Sequence, residues 1–313
     1  TASYGTTATT EEARRIIPTP DSNYLIVGYS TPRLDSLNRE GLVMKITPTG
    51  GLIWAKLYGG VKWEEFYDVV YTGGHYYCVG YTRTWVNDDP TSAPVDVRAD
   101  IFLIKIKTDG ALVWAKNLGS PTTSSSATIG NDVGLRLIAA PLGGVIVVAR
   151  INSGASSDQN NGLIWVDADA KSRWAYQYDL AGNTGALELT QGIWKDRDYN
   201  FITGGWYSIA SFPATSNGGM LFKVNPKGKL LWDRNTTCSP GTFESQYFGY
   251  YDLWEDRMFS TDFYSVTNGI REPQVMINQS ATGQATAGSP QAVKFNDPNV
   301  ANDNFRGNIF PIG

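Results

Sequence analysis

The chain of 313 residues has one histidine, His75, and two cysteines, Cys78 and Cys238. A lone histidine cannot build a histidine-based zinc cage, and it leaves little room for a serine–histidine–aspartate triad. Two distant cysteines without C-x-x-C spacing exclude a cysteine metal site or redox pair of that type. Charge is scarce, at 18% of residues against about 25% in an average globular domain. It sums to 26 − 30 = −4, so the bulk charge does not attract polyanions and nucleic acid is not an expected partner. No apolar run reaches the roughly 18 residues of a membrane helix. No basic, apolar targeting segment stands at the front, and the first residue is Thr1. The expectation is a processed, extracellular or surface chain.

What is plentiful is glycine (33) and aromatic residues (17 Tyr, 12 Phe, 10 Trp), a composition that favours strands and turns over helices. Internal similarity is the strongest signal. Segments Lys45–Trp54, Lys105–Trp114, Trp165–Trp174 and Lys223–Trp232 each read as strand, tight turn, strand. Their closing residues Trp54, Trp114, Trp174 and Trp232 are 60, 60 and 58 positions apart, and four residues before each stands Gly50, Gly110, Ala170 or Gly228. The turn needs residues that tolerate its dihedrals, and the indole anchors the next strand.

A second element precedes each hairpin. Leu25–Ser30 matches Tyr77–Thr82 through Gly28 and Gly80, with weaker copies at Val147–Arg150, at Thr203–Trp206 around Gly205, and at Ser260–Phe263. Another turn and an apolar strand come before these. One unit is thus four strands in about 60 residues, repeated five times. Such sheets cannot bury both faces alone, and their radial packing predicts an all-β β-propeller of five four-stranded blades. The expected boundaries are an N-terminal arm or closing strand at 1–10, the propeller at 11–295, and a C-terminal tail at 296–313 docked on its own ring or on a neighbour. Ser3-Tyr4-Gly5 parallels Leu57-Tyr58-Gly59 and so resembles the end of an outer strand, yet Gln291–Phe295 is a candidate fourth strand for the fifth unit.

These residues carry a resemblance. The Asp/Asn-x-x-Gly-x-x-x-Trp ending resembles the tryptophan-docking unit of quinoprotein-like propellers. The whole unit looks more like the repeats of bacterial secreted β-propellers, over roughly residues 11 to 295. That implies the fold and not an activity. Quinoprotein alcohol dehydrogenases have eight blades, adjacent cysteines and acidic calcium ligands; this chain supports five blades and has no Cys-Cys pair. No position matches a catalytic motif, so no enzyme activity and no cofactor are carried over.

Several residues are candidates for sites. Asn235 and Asn278 fit the N-glycan acceptor pattern, and the Thr/Ser-rich stretches 6–10 and 120–128 read as solvated loops or O-glycan carriers. Asn87, Asp88, Asp89, Asp96 and Asp100 share one long loop, but their spacing fits no calcium motif. Asp196 with Asp198, and Glu64 with Glu65, read as solvated charges at strand or turn edges; as a glycosidase pair they would need a cleft. Trp63, Trp85, Trp206, Tyr207, Tyr247, Tyr250 and Tyr251 are either packing residues or a sugar-stacking or protein-binding face. Cys78 occupies a core position.

The leading functional expectation is a non-enzymatic structural protein, a self-associating subunit of an extracellular fibre or coat whose terminal strands dock on a neighbour. The second is a carbohydrate- or protein-binding module on the long-loop face. The third is a hydrolase or lyase, which requires an acidic cluster on the inner strands.

Overall fold

The computed structural model describes residues 3–5, 8–32, 38–84, 99–119, 131–152, 159–180, 186–211, 214–237, 246–252, 257–265 and 271–279. They hold nineteen strands and no helix. The first sheet is β1 (Thr9–Pro18), β2 (Tyr24–Pro32), β3 (Glu40–Ile46) and β4 (Leu52–Tyr58); the second is β5 (Glu64–Thr72), β6 (His75–Thr82), β7 (Asp100–Ile106) and β8 (Leu112–Leu118). The third is β9 (Val133–Ala139), β10 (Val145–Ile151), β11 (Asn160–Val166) and β12 (Ser172–Tyr178). The fourth is β13 (Ala186–Lys195), β14 (Phe201–Ser211), β15 (Ala214–Val224) and β16 (Leu230–Thr237), and β17 (Gln246–Asp252), β18 (Arg257–Ser265) and β19 (Arg271–Gln279) complete the set. Each sheet pairs its strands in sequence order. The expected five four-stranded sheets are therefore four, plus one of three strands among the described residues; the candidate strand Gln291–Phe295 and the tail 296–313 lie outside them.

The chain divides into two compact units, one of residues 1–155 with 162–175 and one of 156–161 with 176–313. In the first unit the second sheet is buried on both faces, as strand alternation allows. Tyr76, Cys78, Phe102 and Ile104 pack with Leu25, Val27 and Val43 of the first sheet. Their neighbours Tyr77, Val79, Ile101 and Leu103 pack with Val145, Val147 and Val166 of the third. The first strands β1, β5 and β9 thereby come together in series. In the second unit β13 meets β17 in the same way.

The repeat residues have definite tasks. Gly50, Gly110 and Gly228 adopt φ of 84°, 78° and 78°, and Ala170 adopts 64° at the same place. Each closes the same turn, as in Gly110 N donating to Lys107 O at 2.9 Å. Glycine takes this left-handed conformation freely; alanine does not. The four anchoring tryptophans are half-buried. Trp114 Nε1 donates to Ala168 O of the following sheet's turn at 3.1 Å, and Trp174 packs edge-on to Trp165. Gly28, Gly80 and Gly205 answer to close approach instead. A Cβ on each would lie 1.8, 1.7 and 1.8 Å from the carbonyl oxygens of Glu12, Glu65 and Leu189. In the third sheet the small residue changes sides: Gly134 on β9 faces Ala149 on β10.

Candidate functional site: an arginine–glutamate cluster on the first strands

Each first strand of the four complete sheets carries a bulge, at Arg14, Tyr67, Leu135 and Gln191. Three residues ahead of each bulge stands an acid: Glu11, Glu64, Asp132 and Glu188. Three of these are fully buried, at 0%, 0% and 1% exposure for Glu64, Asp132 and Glu188. Glu64 accepts from Gly60 N at 2.8 Å and from Thr82 Oγ1 at 2.7 Å. Asp132 accepts from Asn152 N at 2.7 Å. Glu188 accepts from Leu180 N at 2.8 Å and from Asn161 Nδ2 at 2.6 Å. A buried carboxylate is tolerated only with such donors. These acids tie loop backbone to the strand start, so Glu64 is not the solvated edge charge expected from sequence.

Glu65, the next residue, is the centre of a different arrangement. Its carboxylate is 1% exposed and both oxygens are held by arginines. Arg14 of β1 donates from Nε to Oε1 at 2.7 Å and from Nη2 to the same oxygen at 2.6 Å. Arg39, just before β3, donates from Nη1 to Oε2 at 2.7 Å. Arg14 also meets Glu12 at 2.5 Å, and Glu12 accepts from Tyr29 Oη at 2.7 Å. Burial works against the charge of Arg14, but Glu65 and Glu12 outweigh it and hold this guanidinium above its ordinary value. Glu12, with 45% of its side chain exposed, is the open carboxylate of the group.

Aromatic rings frame the arginines. Arg39 lies 3.9 Å from the centre of the Tyr29 ring and 4.6 Å from that of Trp63, and Arg83 lies 4.6 Å from Trp63. Arg14 stands 5.5 Å from the Tyr67 ring. Arginine stacks in this way because its guanidinium is planar and weakly hydrated. Burial, then the charge of Glu65, pushes the Tyr67 hydroxyl well above the usual tyrosine value. It stays protonated at neutral pH. Trp63 therefore stacks with two guanidiniums rather than offering itself as a bare sugar platform.

One step further along the strands, Arg15, Asp68 and Arg136 take the positions after the bulges of β1, β5 and β9. Arg15 Nε lies 3.2 Å from Asp68 Oδ1, and Leu137 N donates to Asp68 Oδ2 at 2.9 Å. Burial pushes the Asp68 carboxyl up, with Arg15 and Arg136 opposing. At 4% exposure, Asp68 is a structural tie and not a reachable reagent.

The remaining candidates fall elsewhere. Asp196 is buried, at 3%, contrary to expectation, because it caps the β13–β14 turn through Asp198 N and Asn200 N and pairs with Lys223 at 2.6 Å; Asp198 is exposed. Tyr207 is core, at 2%. Cys78 is a buried free thiol, as a core position requires. Asn235 lies in β16 and Asn278 in β19, with side chains outside the described residues. So are the side chains of Trp206, Tyr247, Tyr250 and Tyr251, and so are Trp85, Cys238 and the acidic loop residues Asn87, Asp88, Asp89 and Asp96. Among the described residues no group of three or more histidine, cysteine or acidic side chains could hold a metal ion.

No family model matches the chain, and no curated protein matches it. Solved structures do. An endo-arabinase from Bacteroides thetaiotaomicron shares 13% identity at a TM-score of 0.43, over 83% of this chain and 91% of that one. A chimera of apocarotenoid oxygenase and RPE65 shares 13% at 0.49, over 91% and 62%. A mutant apocarotenoid oxygenase from Synechocystis shares 13% at 0.49, over 90% and 61%. The chain thus spans about three fifths of the length of the oxygenases. These neighbours are enzymes. The expectation of a non-enzymatic, self-associating fibre or coat subunit is corrected accordingly. On this chain the buried charged residues Glu64, Glu65 and Asp68 sit on a first strand that reads in sequence as an ordinary edge.

Proposed function

We propose that the five sheets are blades of one β-propeller and that the chain is a secreted enzyme that hydrolyses glycosidic bonds at the Glu12–Arg14–Glu65–Arg39 cluster. The propeller reading is supported by the register of the repeats and by Tyr4. Its hydroxyl donates to Gly50 O at 2.6 Å, as Tyr58 does to Gly110 O and Tyr178 to Gly228 O at the same distance. Ser3–Gly5 therefore stands where the end of a preceding fourth strand belongs. Beside it Ile26, Leu42 and Met44 of the first sheet line a cavity of about 840 Å³, which a further blade of a ring would cover.

The observation that carries the enzymatic reading is the shared arginine: Arg14 joins a buried carboxylate to an open one. Glu65 has both oxygens occupied, so it is the positioning residue that fixes the two guanidiniums. Glu12 also has its oxygens against Arg14 and Tyr29, but 45% of its side chain is exposed, so a substrate can reach it. In hydrolysis Glu12 takes a proton from water as the water oxygen bonds to the anomeric carbon, the glycosidic bond to that carbon breaks, and the same proton passes to the departing glycosidic oxygen, so that Glu12 ends as it began. Planar donors and rings around an open carboxylate suit a polyhydroxylated ligand.

The test is incubation of the full chain with a panel of polysaccharides and a reducing-end assay. Cleavage of one class, lost in Glu12→Gln with the melting temperature unchanged, supports the reading. No new chain ends from any member, or cleavage undiminished in Glu12→Gln, overturns it. Unsaturated chain ends replace hydrolysis by elimination.

A further inference from the structure

The first unit concentrates arginine on one group of elements in a chain whose net charge is −4. Arg14 comes from β1, Arg39 from the approach to β3, Arg83 from the end of β6 and Arg150 from β10. Among the described residues Glu12 and Glu65 face Arg14 and Arg39, and Asp132 faces Arg150. Tyr67 links the group: it packs in one cluster with Val133, the cross-strand partner of Arg150, and its ring lies 5.5 Å from Arg14. The buried Nε atoms of Arg39 and Arg150 have no hydrogen-bond partner among the described residues, although buried polar atoms ordinarily find one. Arg150 in particular is under-compensated. Burial pulls its guanidinium below the ordinary arginine value, and Tyr67 and Asp132 do not make this good.

Resting on the reading above, we infer that the glycan handled at this site is acidic, and that one of its anionic groups, a uronate carboxylate or a sulfate ester, is bound by the guanidiniums of Arg14, Arg39 and Arg150 beside Tyr67. Arginine is suited to this because its planar fork matches a carboxylate or sulfate with two parallel hydrogen bonds. The aromatic stacking of Arg14 and Arg39 holds their planes in place before the ligand arrives, which lowers the cost of binding. Bulk charge alone argued against anionic partners; the distribution of the arginines reverses that locally.

The experiment is calorimetric titration of the full chain with three oligosaccharides of matched length: neutral, uronate-bearing and sulfated. The expected result is at least about tenfold tighter binding of one acidic oligomer than of the neutral one. The arm that binds identifies carboxylate or sulfate as the group read. Its affinity falls as salt rises from about 50 to about 500 mM, while neutral binding does not change. Arg150→Met weakens acidic binding about tenfold and leaves neutral binding alone. Equal affinity for all three, or salt-independent acidic binding, overturns the inference, and this second readout needs no variant to fold. Binding and cleavage by the wild type, read side by side, separate the two readings. Acidic binding with no cleavage by the wild type sinks the reaction and leaves the anion site. Cleavage confined to the neutral glycan sinks the anion site and leaves the reaction.

Discussion

The hydroxyl of Tyr58 donates to the carbonyl oxygen of Gly110 at 2.6 Å, tying the last strand of one sheet to the outer turn of the next. Phenylalanine at position 58 keeps the ring but leaves that carbonyl without its donor. Tyr58→Phe should cost about 1–2 kcal/mol, read as a lower denaturant midpoint at unchanged slope. Removal of residues 1–5 should lower stability in the same way, through loss of the Tyr4 bond to Gly50.

Ala170 holds the backbone conformation that three glycines hold elsewhere. A non-glycine residue there costs about 1–2 kcal/mol, and glycine gives back about 0.5–1 kcal/mol through the freer unfolded chain. Ala170→Gly should therefore stabilise by about 0.5–1 kcal/mol. A calorimetric melting temperature at or below that of the wild type contradicts the account of this turn.

Gly80 lies against the backbone of Glu65, where an added Cβ would sit 1.7 Å from the carbonyl oxygen. Backbone cannot swing away as a side chain can. Gly80→Ala should push β6 from β5 at a cost of about 3 kcal/mol and also displace Glu65 from Arg14. Loss of stability and loss of glycan cleavage are expected together.

Burial pushes the hydroxyls of Tyr58, Tyr67 and Tyr178 well above the usual tyrosine value. Above about pH 10 the unfolded chain releases these protons and the folded chain keeps them. The folded state then binds more protons than the unfolded one, so stability falls as pH rises. Denaturant midpoints at about pH 9 and pH 11 should decrease, while the ultraviolet phenolate band of the folded protein stays below that expected for 17 tyrosines.

Much of this architecture is legible in the sequence because Trp54, Trp114, Trp174 and Trp232 recur at nearly constant intervals, and the turn before each demands glycine or a substitute. The acids of the first strands recur less evenly. Glu11, Glu64, Asp132 and Glu188 are separated by 53, 68 and 56 residues, because the loops ahead of each first strand differ in length. Counted from the bulge, they fall into line; counted along the chain, they read as isolated charges. Glu65 is obscure for another reason. Its partners Arg14 and Arg39 lie 51 and 26 positions away, and only the approach of two sheets brings them together. Gly28 and Gly80 were visible as a motif, but their cause, a bulged neighbour pressed against them, needs the strand register.

Glu65 also permits a test of positioning. Glu65→Gln removes the charge that both arginines share and should cost about 2 kcal/mol, less than a fully buried pair because Arg14 and Arg39 keep some exposure. Its mark on the site should be a rise in KM larger than any fall in kcat, since the arginines lose their fixed planes while Glu12 keeps its hydrogen bond from Tyr29.

The most direct test is a crystal structure of Glu12→Gln with an acidic oligosaccharide. The account predicts a glycosidic oxygen within hydrogen-bond reach of residue 12 and an anionic group against Arg14, Arg39 and Arg150. A saccharide bound elsewhere, with this cluster untouched, contradicts it.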